Sequence, residues 1–176
     1  MLAEAANTYL TLLNYSYNFV LGKKGQLVNI HLCFYEHNFY HLAGLHKLKD
    51  IYPLLSVPRE QGITTIVNRA IESNYEKSCF YSIIAPRLEI LCELEHLLDS
   101  DLLAFRFCKN LAHSNIDASF LLESKQPLEA LLYMKDIGTE NKYIFSSITT
   151  NDGKSRRLPK YKILHKEKLP SFQGTI

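Results

Sequence analysis

Hydrophobic and polar positions divide the chain into a mainly helical half and an alternating half. From Leu2 to Val20, the residues Tyr9, Leu10, Leu13, Tyr17 and Val20 recur at steps of three and four, the spacing of one helix face. Asn, Tyr and Thr crowd the interior of that segment, so the helix would lean on packing more than on propensity. Gly22-Lys-Lys-Gly25 then turns the chain. Leu27 to Tyr35 alternates instead: Val28, Ile30, Leu32 and Phe34 face one way, and Leu27, Asn29, His31, Cys33 and Tyr35 the other. That is a strand with one apolar face. A helix is expected next, capped by Asn38, with Leu42, Leu45, Leu48 and Tyr52 on its buried stripe and with Pro53 and Pro58 closing it. Arg59 to Asn74 carries the cleanest helical pattern, through Ile63, Ile66, Val67, Ala70 and Ile71. Tyr75 to Ala85 fits either period. Pro86 suits a helix start, and Leu88, Leu91, Cys92, Glu95 and Leu98 continue at helical spacing to Ser100.

From Leu102 the period becomes two. Strands are expected at Leu102–Cys108, Ala118–Glu123, Leu128–Lys135 and Lys142–Thr150. The polar stretch Lys109–Asp117, the pair Gln126-Pro127 and Gly138 separate them, and Asn151-Asp-Gly153 is the strongest turn signal. Tyr161–His165 would add a fifth strand. Short links between such strands imply an antiparallel meander. The expected fold is therefore α+β, with N-terminal helices packed on a C-terminal antiparallel sheet of four to five strands. Nothing repeats and no low-complexity linker divides the chain, so residues 1–176 read as a single domain with a basic C-terminal segment from about residue 151.

Composition narrows the function only a little. A hydrophobic share of 47% and a charged share of 22% are those of a globular chain, and the net charge of +2 does not announce a polyanion partner. Distribution says more. Between Asn141 and Pro170, Lys142, Lys154, Arg156, Arg157, Lys160, Lys162, Lys166 and Lys168 face only Asp152 and Glu167. Such a segment is either a solvated tail or a surface for nucleic acid, with Lys154, Arg156, Arg157, Lys160 and Lys162 as its RNA-binding candidates. Cys33, Cys79, Cys92 and Cys108 show no paired spacing, which points to reduced thiols and a cytoplasmic protein. No apolar run reaches the length of a membrane span, and no secretory leader is visible.

Candidate chemistry concentrates in Asn38-Phe-Tyr-His-Leu-Ala-Gly-Leu-His-Lys-Leu-Lys-Asp50, which sets two histidines close together after a strand. On a continuous helix His41 would lie about 20° from the centre of the buried stripe, His46 at its edge, and Lys47 nearly opposite. A buried ring nitrogen needs a partner, so packing alone gives no reason to place an imidazole there. The positive end of the helix would favour a neutral His41, able to accept a proton. As a plain structural alternative, each histidine is a satisfied core or edge residue.

The segment Phe39–Asp50, following Asn29-Ile-His-Leu, resembles the signature of a phage-borne nuclease family. That family is the fourth phage subgroup of the barnase, EndoU, colicin and RelE-like superfamily. The resemblance implies a nuclease fold, toxicity, phage association and an antitoxin or immunity protein as partner. It also raises Lys47 from a surface residue to a catalytic candidate.

Elimination leads to a compatible chemistry. The chain has no P-loop, GxGxxG, GxSxG or HExxH, and its carboxylates do not converge as a two-metal nuclease requires. His31, Cys33, His37, His41 and His46 could form a zinc site, but a cap at Asn38 would leave His37 outside the helix. Neither metal nor cofactor is expected. RNA supplies its own nucleophile in the 2′-hydroxyl, so the protein needs a base, an acid and donors for the developing charge. His41 and His46 suit the first two roles. Lys47, Arg106, Ser146 and Thr150 are candidates for the third, although Arg106 could pair with a helix carboxylate and the hydroxyls could be ordinary strand residues. The reading is a metal-independent endoribonuclease acting as a toxin or phage–host conflict effector, with RNA as substrate and no membrane. Its rival is a catalytically inert RNA- or protein-binding module of the same fold.

Overall fold

Seven strands close into a barrel in the computed structural model, which describes residues 1–51 and 61–171. They are β1 (Tyr15–Lys23), β2 (Gln26–Leu32), β3 (Leu102–Arg106), β4 (Phe120–Ser124), β5 (Ala130–Asp136), β6 (Lys142–Thr150) and β7 (Lys160–Pro170). Their order around the barrel is β1-β2-β6-β5-β4-β3-β7, and β7 returns to β1. Neighbours are antiparallel except β2 and β6, which run parallel through two residue pairs, His31↔Lys142 and Leu32↔Tyr143. The helices are α1 (Leu2–Leu12), α2 (Phe39–Leu42), α3 (Ile63–Glu72), α4 (Tyr81–Cys92), α5 (Leu94–Asp99) and α6 (Lys109–Ala112) among the described residues.

The overall α+β character holds, but this closed mixed barrel corrects the expected open antiparallel sheet of four to five strands. Three local outcomes account for the difference. First, the helix expected over Leu2–Val20 ends at Leu12, and Tyr15–Lys23 is a strand whose buried Tyr17, Phe19 and Leu21 alternate. Tyr17 and Val20 satisfy a helical period by coincidence, while the aromatic and β-branched content favours the pleated surface. Second, Gly22–Gly25 is a hairpin. Lys23 pairs with Gln26 across Lys24 and Gly25, at φ +47° and +81°, the two positive values of a type I′ turn. Third, the final strand is 11 residues long and pairs with β3 at one end and β1 along the other. That double pairing closes the cylinder.

Apolar periodicity places the core. Leu2, Ala5, Ala6, Tyr9 and Leu12 form the buried stripe of α1, and Ile63, Ile66, Val67 and Ala70 that of α3. They join one buried cluster with the inward residues of the strands, including Phe19, Ile30, Leu32, Leu122, Leu132 and Ile148. The outer face of β3–β5 buries Phe105, Leu121, Leu131 and Tyr133 beneath Phe107, Ala112 and Leu158 in a second, smaller cluster. Pro86 does not start a helix: α4 begins at Tyr81 and carries the proline inside, because Ile84, Leu88 and Leu91 bury on one side regardless. The helical run also breaks at Glu93 before α5. Tyr52, Pro53, Pro58 and Arg59 lie outside the described residues.

Part of the basic C-terminal segment serves this fold. Lys166 Nζ donates to the carbonyls of Leu98 (2.9 Å) and Ser100 (2.5 Å), satisfying the exposed end of α5. Burial pulls the Lys166 ammonium below its ordinary pKa. Lys168 pairs with Glu95 at 2.6 Å and Asp99 at 3.4 Å, and Asp99 also accepts from the Tyr17 hydroxyl at 2.8 Å. Lys166→Met should therefore destabilise the protein by about 1–3 kcal/mol, since both carbonyls lose their donor. Equilibrium urea denaturation checks this; an unchanged midpoint would make Lys166 a surface charge.

Candidate functional site

Gly44 shapes the site. Residues Phe39–Leu42 make a single helical turn, after which Gly44 adopts the left-handed conformation at φ +75° and ψ +14°. Leu45–Lys47 restart as a 3₁₀ turn. A Cβ at residue 44 would stand 3.0 Å from Arg87 Cδ and 3.1 Å from Ile84 Cγ2, so both side chains would have to yield by a few tenths of an ångström. The consequence is a pair. The rings of His41 and His46 lie parallel, with centroids 4.6 Å apart and planes 5° from parallel. Residues five apart on a straight helix would point about 140° apart, so this stack exists because the helix is broken.

That break corrects the expectation of a continuous helix from Asn38. Asn38 makes no side-chain cap bond and itself has helical dihedrals (φ −79°, ψ −23°). His41 is exposed and His46 half-buried, while Phe39, Leu42, Leu45 and Leu48 supply the apolar anchor. A four-residue turn carries little dipole, so the case for a neutral His41 at a helix N-terminus lapses. The segment is pinned from both sides. Glu36 Oε1 accepts from the Ile63 amide at the start of α3 at 2.9 Å. Asp50 accepts from the Ser78 hydroxyl at 2.6 Å and the Cys79 amide at 3.0 Å, and the Ser78 bond holds its carboxyl below the usual carboxylate value.

Opposite the histidines stands β6. Tyr133 pairs with Ser147 and Met134 with Phe145, so Ser146 is the extra residue of a β-bulge. Through it the inward face passes from Tyr143 and Phe145 to Ile148, and both Ser146 and Ser147 reach one cleft. The cleft holds about 700 Å³, and its walls include His37, Tyr40, His41, His46, Lys135 and Ser146. Lys135 binds Asp117 at 2.7 Å, which lowers the Asp117 pKa. Behind the wall, Arg87 reaches from α4 to the Ser147 hydroxyl (3.5 Å) and the Leu42 carbonyl (3.4 Å). Lys47 is half-buried nearby; burial, then the Arg87 charge, pulls its ammonium below the ordinary lysine pKa.

Over residues 1–169 the chain matches the family model for phage-Barnase-EndoU-ColicinE5/D-RelE like nuclease4. The chain belongs to this nuclease family. No curated protein and no solved structure matches it. A nucleic acid is the substrate class of such a nuclease, and no helix among the described residues is long and apolar enough to cross a membrane.

Within this family member, the structure gathers three of the sequence-derived candidates, His41, His46 and Ser146, on one cleft, with Lys47 close behind. Others lie elsewhere. The bulge sends Thr150 to a different face from Ser146, and Thr150 is not part of the cleft wall. Arg106 stacks over the Phe120 ring at 4.8 Å, also outside it. Lys154 pairs with Asp152, Arg157 contacts His113 at 3.3 Å, and Arg156, Lys160 and Lys162 line other clefts along the β6–β7 turn and β7. His31 binds Asn18 at 2.6 Å on the barrel. No three His, Cys, Asp or Glu side chains form a metal-sized group among the described residues.

Tyr40, Lys135, Ser147 and Arg87 are the site neighbours that the sequence reading passes over. For Arg87 a signal existed: it sits on the same helical stripe as Ile84, Leu88 and Leu91, where a charge is unexpected. Gly44→Ala should lower stability by about 1–2 kcal/mol through left-handed strain alone, with further loss from the contacts at Ile84 and Arg87. Nuclease activity should fall with it. Thermal melting and turnover of the folded fraction test this; a variant that matches the parent in both would show that the break does not set the histidine geometry.

Proposed function

We propose that the protein is a metal-independent endoribonuclease, active as a toxin or phage–host conflict effector restrained by an antitoxin or immunity protein. The observation that carries the reading is the parallel His41–His46 stack at 4.6 Å on the wall of a cleft that also bears Ser146. Two adjacent imidazoles repel when both are charged, which favours a pair holding one proton. Such a pair can act as base and acid in one step. The neutral ring takes the proton of the 2′-hydroxyl as its oxygen attacks phosphorus, and the protonated ring supplies the departing 5′-oxygen. In this reading Lys47 and Ser146 oppose the charge that builds on the phosphorane. Asp117 is the carboxylate on the cleft wall among the described residues, and its pairing with Lys135 leaves the acid–base roles to the histidines. Tyr40 and the Tyr35–His37 stack, with centroids 5.7 Å apart, offer ring faces for unpaired bases. In this reading Lys154, Arg156, Arg157, Lys160 and Lys162 track the RNA backbone beyond the cleft.

His41→Ala and His46→Ala should each slow cleavage about 10²–10⁴-fold, and the double variant should lose far less than the product of the two. Wild-type activity should survive excess chelator, follow a bell-shaped pH profile and leave cyclic phosphate ends. Single-turnover assays on RNA decide the matter: chelator-sensitive activity restored by magnesium or zinc, or full activity in the folded His variants, would overturn the mechanism.

Changing Arg156 and Arg157 together to Gln should weaken RNA binding and reduce its salt dependence by about two released ions. An unchanged slope in titrations at several salt concentrations would remove these arginines from the binding surface.

A further inference from the structure

Arg87 is a cation in an unusual position. Its helix is apolar on the side that faces the motif, its stem lies against Gly44, and burial lowers its pKa from the ordinary guanidinium value. Buried guanidinium groups are normally matched by a carboxylate. Among the described residues Arg87 has no ion pair, and its hydrogen bonds to the Leu42 carbonyl and Ser147 hydroxyl are long, at 3.4 and 3.5 Å. The nearby ionised group is another cation, Lys47, whose ammonium feels the Arg87 charge as repulsion. Two half-buried positive charges therefore share a space with no acid beside them among the described residues. Lys135 differs, because Asp117 neutralises it at 2.7 Å.

Folding has no use for such an arrangement. Each charge loses hydration, each opposes the other, and the two long hydrogen bonds return little. An anion would reverse every one of these terms. A phosphate offers oxygens spaced for the two-pronged Arg fork and accepts from an ammonium as a point charge. Ser147 completes the set: its hydroxyl accepts from Arg87, leaving its own hydrogen to donate toward the cleft that Ser147 lines.

We infer that Arg87, Lys47 and Ser147 form a phosphate-binding subsite at the back of the His41–His46 cleft, which holds a backbone phosphate of the nucleic-acid strand. The inference rests on the reading of that cleft as the nuclease site. Arg87 is the anchor. Gly44 lets the motif settle over its stem, and the β6 bulge aims Ser147 at the same point. The histidines would then act on a strand whose phosphate is already fixed.

The test uses the full chain with the Arg87 side chain observed directly. Inorganic phosphate and, separately, a 2′-O-methyl RNA oligonucleotide that cannot be cleaved are titrated while the Arg87 Nε–H resonance is followed. Both should shift that resonance. Arg87→Met should weaken both interactions about tenfold or more and raise KM more than it lowers kcat, with Arg87→Lys recovering part of the binding. His41→Ala should bind as the parent does. A resonance indifferent to saturating phosphate and oligonucleotide overturns the subsite, and this readout stands even if Arg87→Met fails to fold. Phosphate binding with no Arg87-dependent oligonucleotide binding overturns the assignment to a strand phosphate. The two readings fail separately: Arg87-dependent oligonucleotide binding without RNA cleavage sinks the endoribonuclease and keeps the subsite. Histidine-dependent cleavage that ignores Arg87 does the reverse.

Discussion

Gly44 turns left where a helix would continue right, and the geometry of the cleft depends on that turn. Left-handed backbone is open to glycine at no steric cost, whereas a residue with a Cβ is strained there. Here a second restriction acts at the same atom, since a Cβ would press against the Ile84 and Arg87 side chains. The turn does three things together. It ends α2 after four residues, folds His46 back over His41, and seats the motif on the stem of Arg87. Apolar anchors on either side, Phe39 and Leu42 before it and Leu45 and Leu48 after it, fix the loop to the core while the imidazoles face the cleft.

The opposite wall depends on an irregularity of another kind. A regular β6 would send Ser146 and Ser147 to opposite faces of the barrel. The bulge at Ser146 brings both to the cleft and shifts the inward face to Ile148. The two walls are thus built from departures from ideal geometry, a broken helix and a bulged strand, each held by a well-packed neighbour. Such departures are common where a side chain must be aimed rather than buried. The long strand β7 then holds the frame closed by pairing with both β1 and β3.

Local pattern revealed the local elements. Ile63, Ile66, Val67 and Ala70 announce α3, and the alternation of Lys142–Thr150 gives β6 end to end. The histidine segment and its family were also legible, because a dozen residues carry them. What escaped was set by partners distant in the chain. Tyr15–Lys23 becomes a strand through neighbours near residues 30 and 165, and its own spacing permits a helix. The parallel contact of β2 with β6 joins residues over a hundred positions apart, so no local pattern encodes it. Lys166 and Lys168 look like substrate cations in a list of charges, yet α5 claims them. The bulge at Ser146 leaves no mark in composition, and that is why Ser146 and Thr150 seem to share a face until the register is known.

The parallel seam between β2 and β6 has a consequence for how the molecule opens. Its backbone bonds include those from the His31 and Cys33 amides to the carbonyls of Asn141 and Tyr143, each at 2.8 Å. The β1–β2 and β5–β6 ladders beside it each join seven residue pairs. An opening along this line leaves both hairpins whole. The seam also lies between the strand that leads into the histidine segment and the strand that carries the serines. Protection of the His31 and Cys33 amides from solvent exchange thus doubles as a gauge of how long the two halves of the cleft stay together.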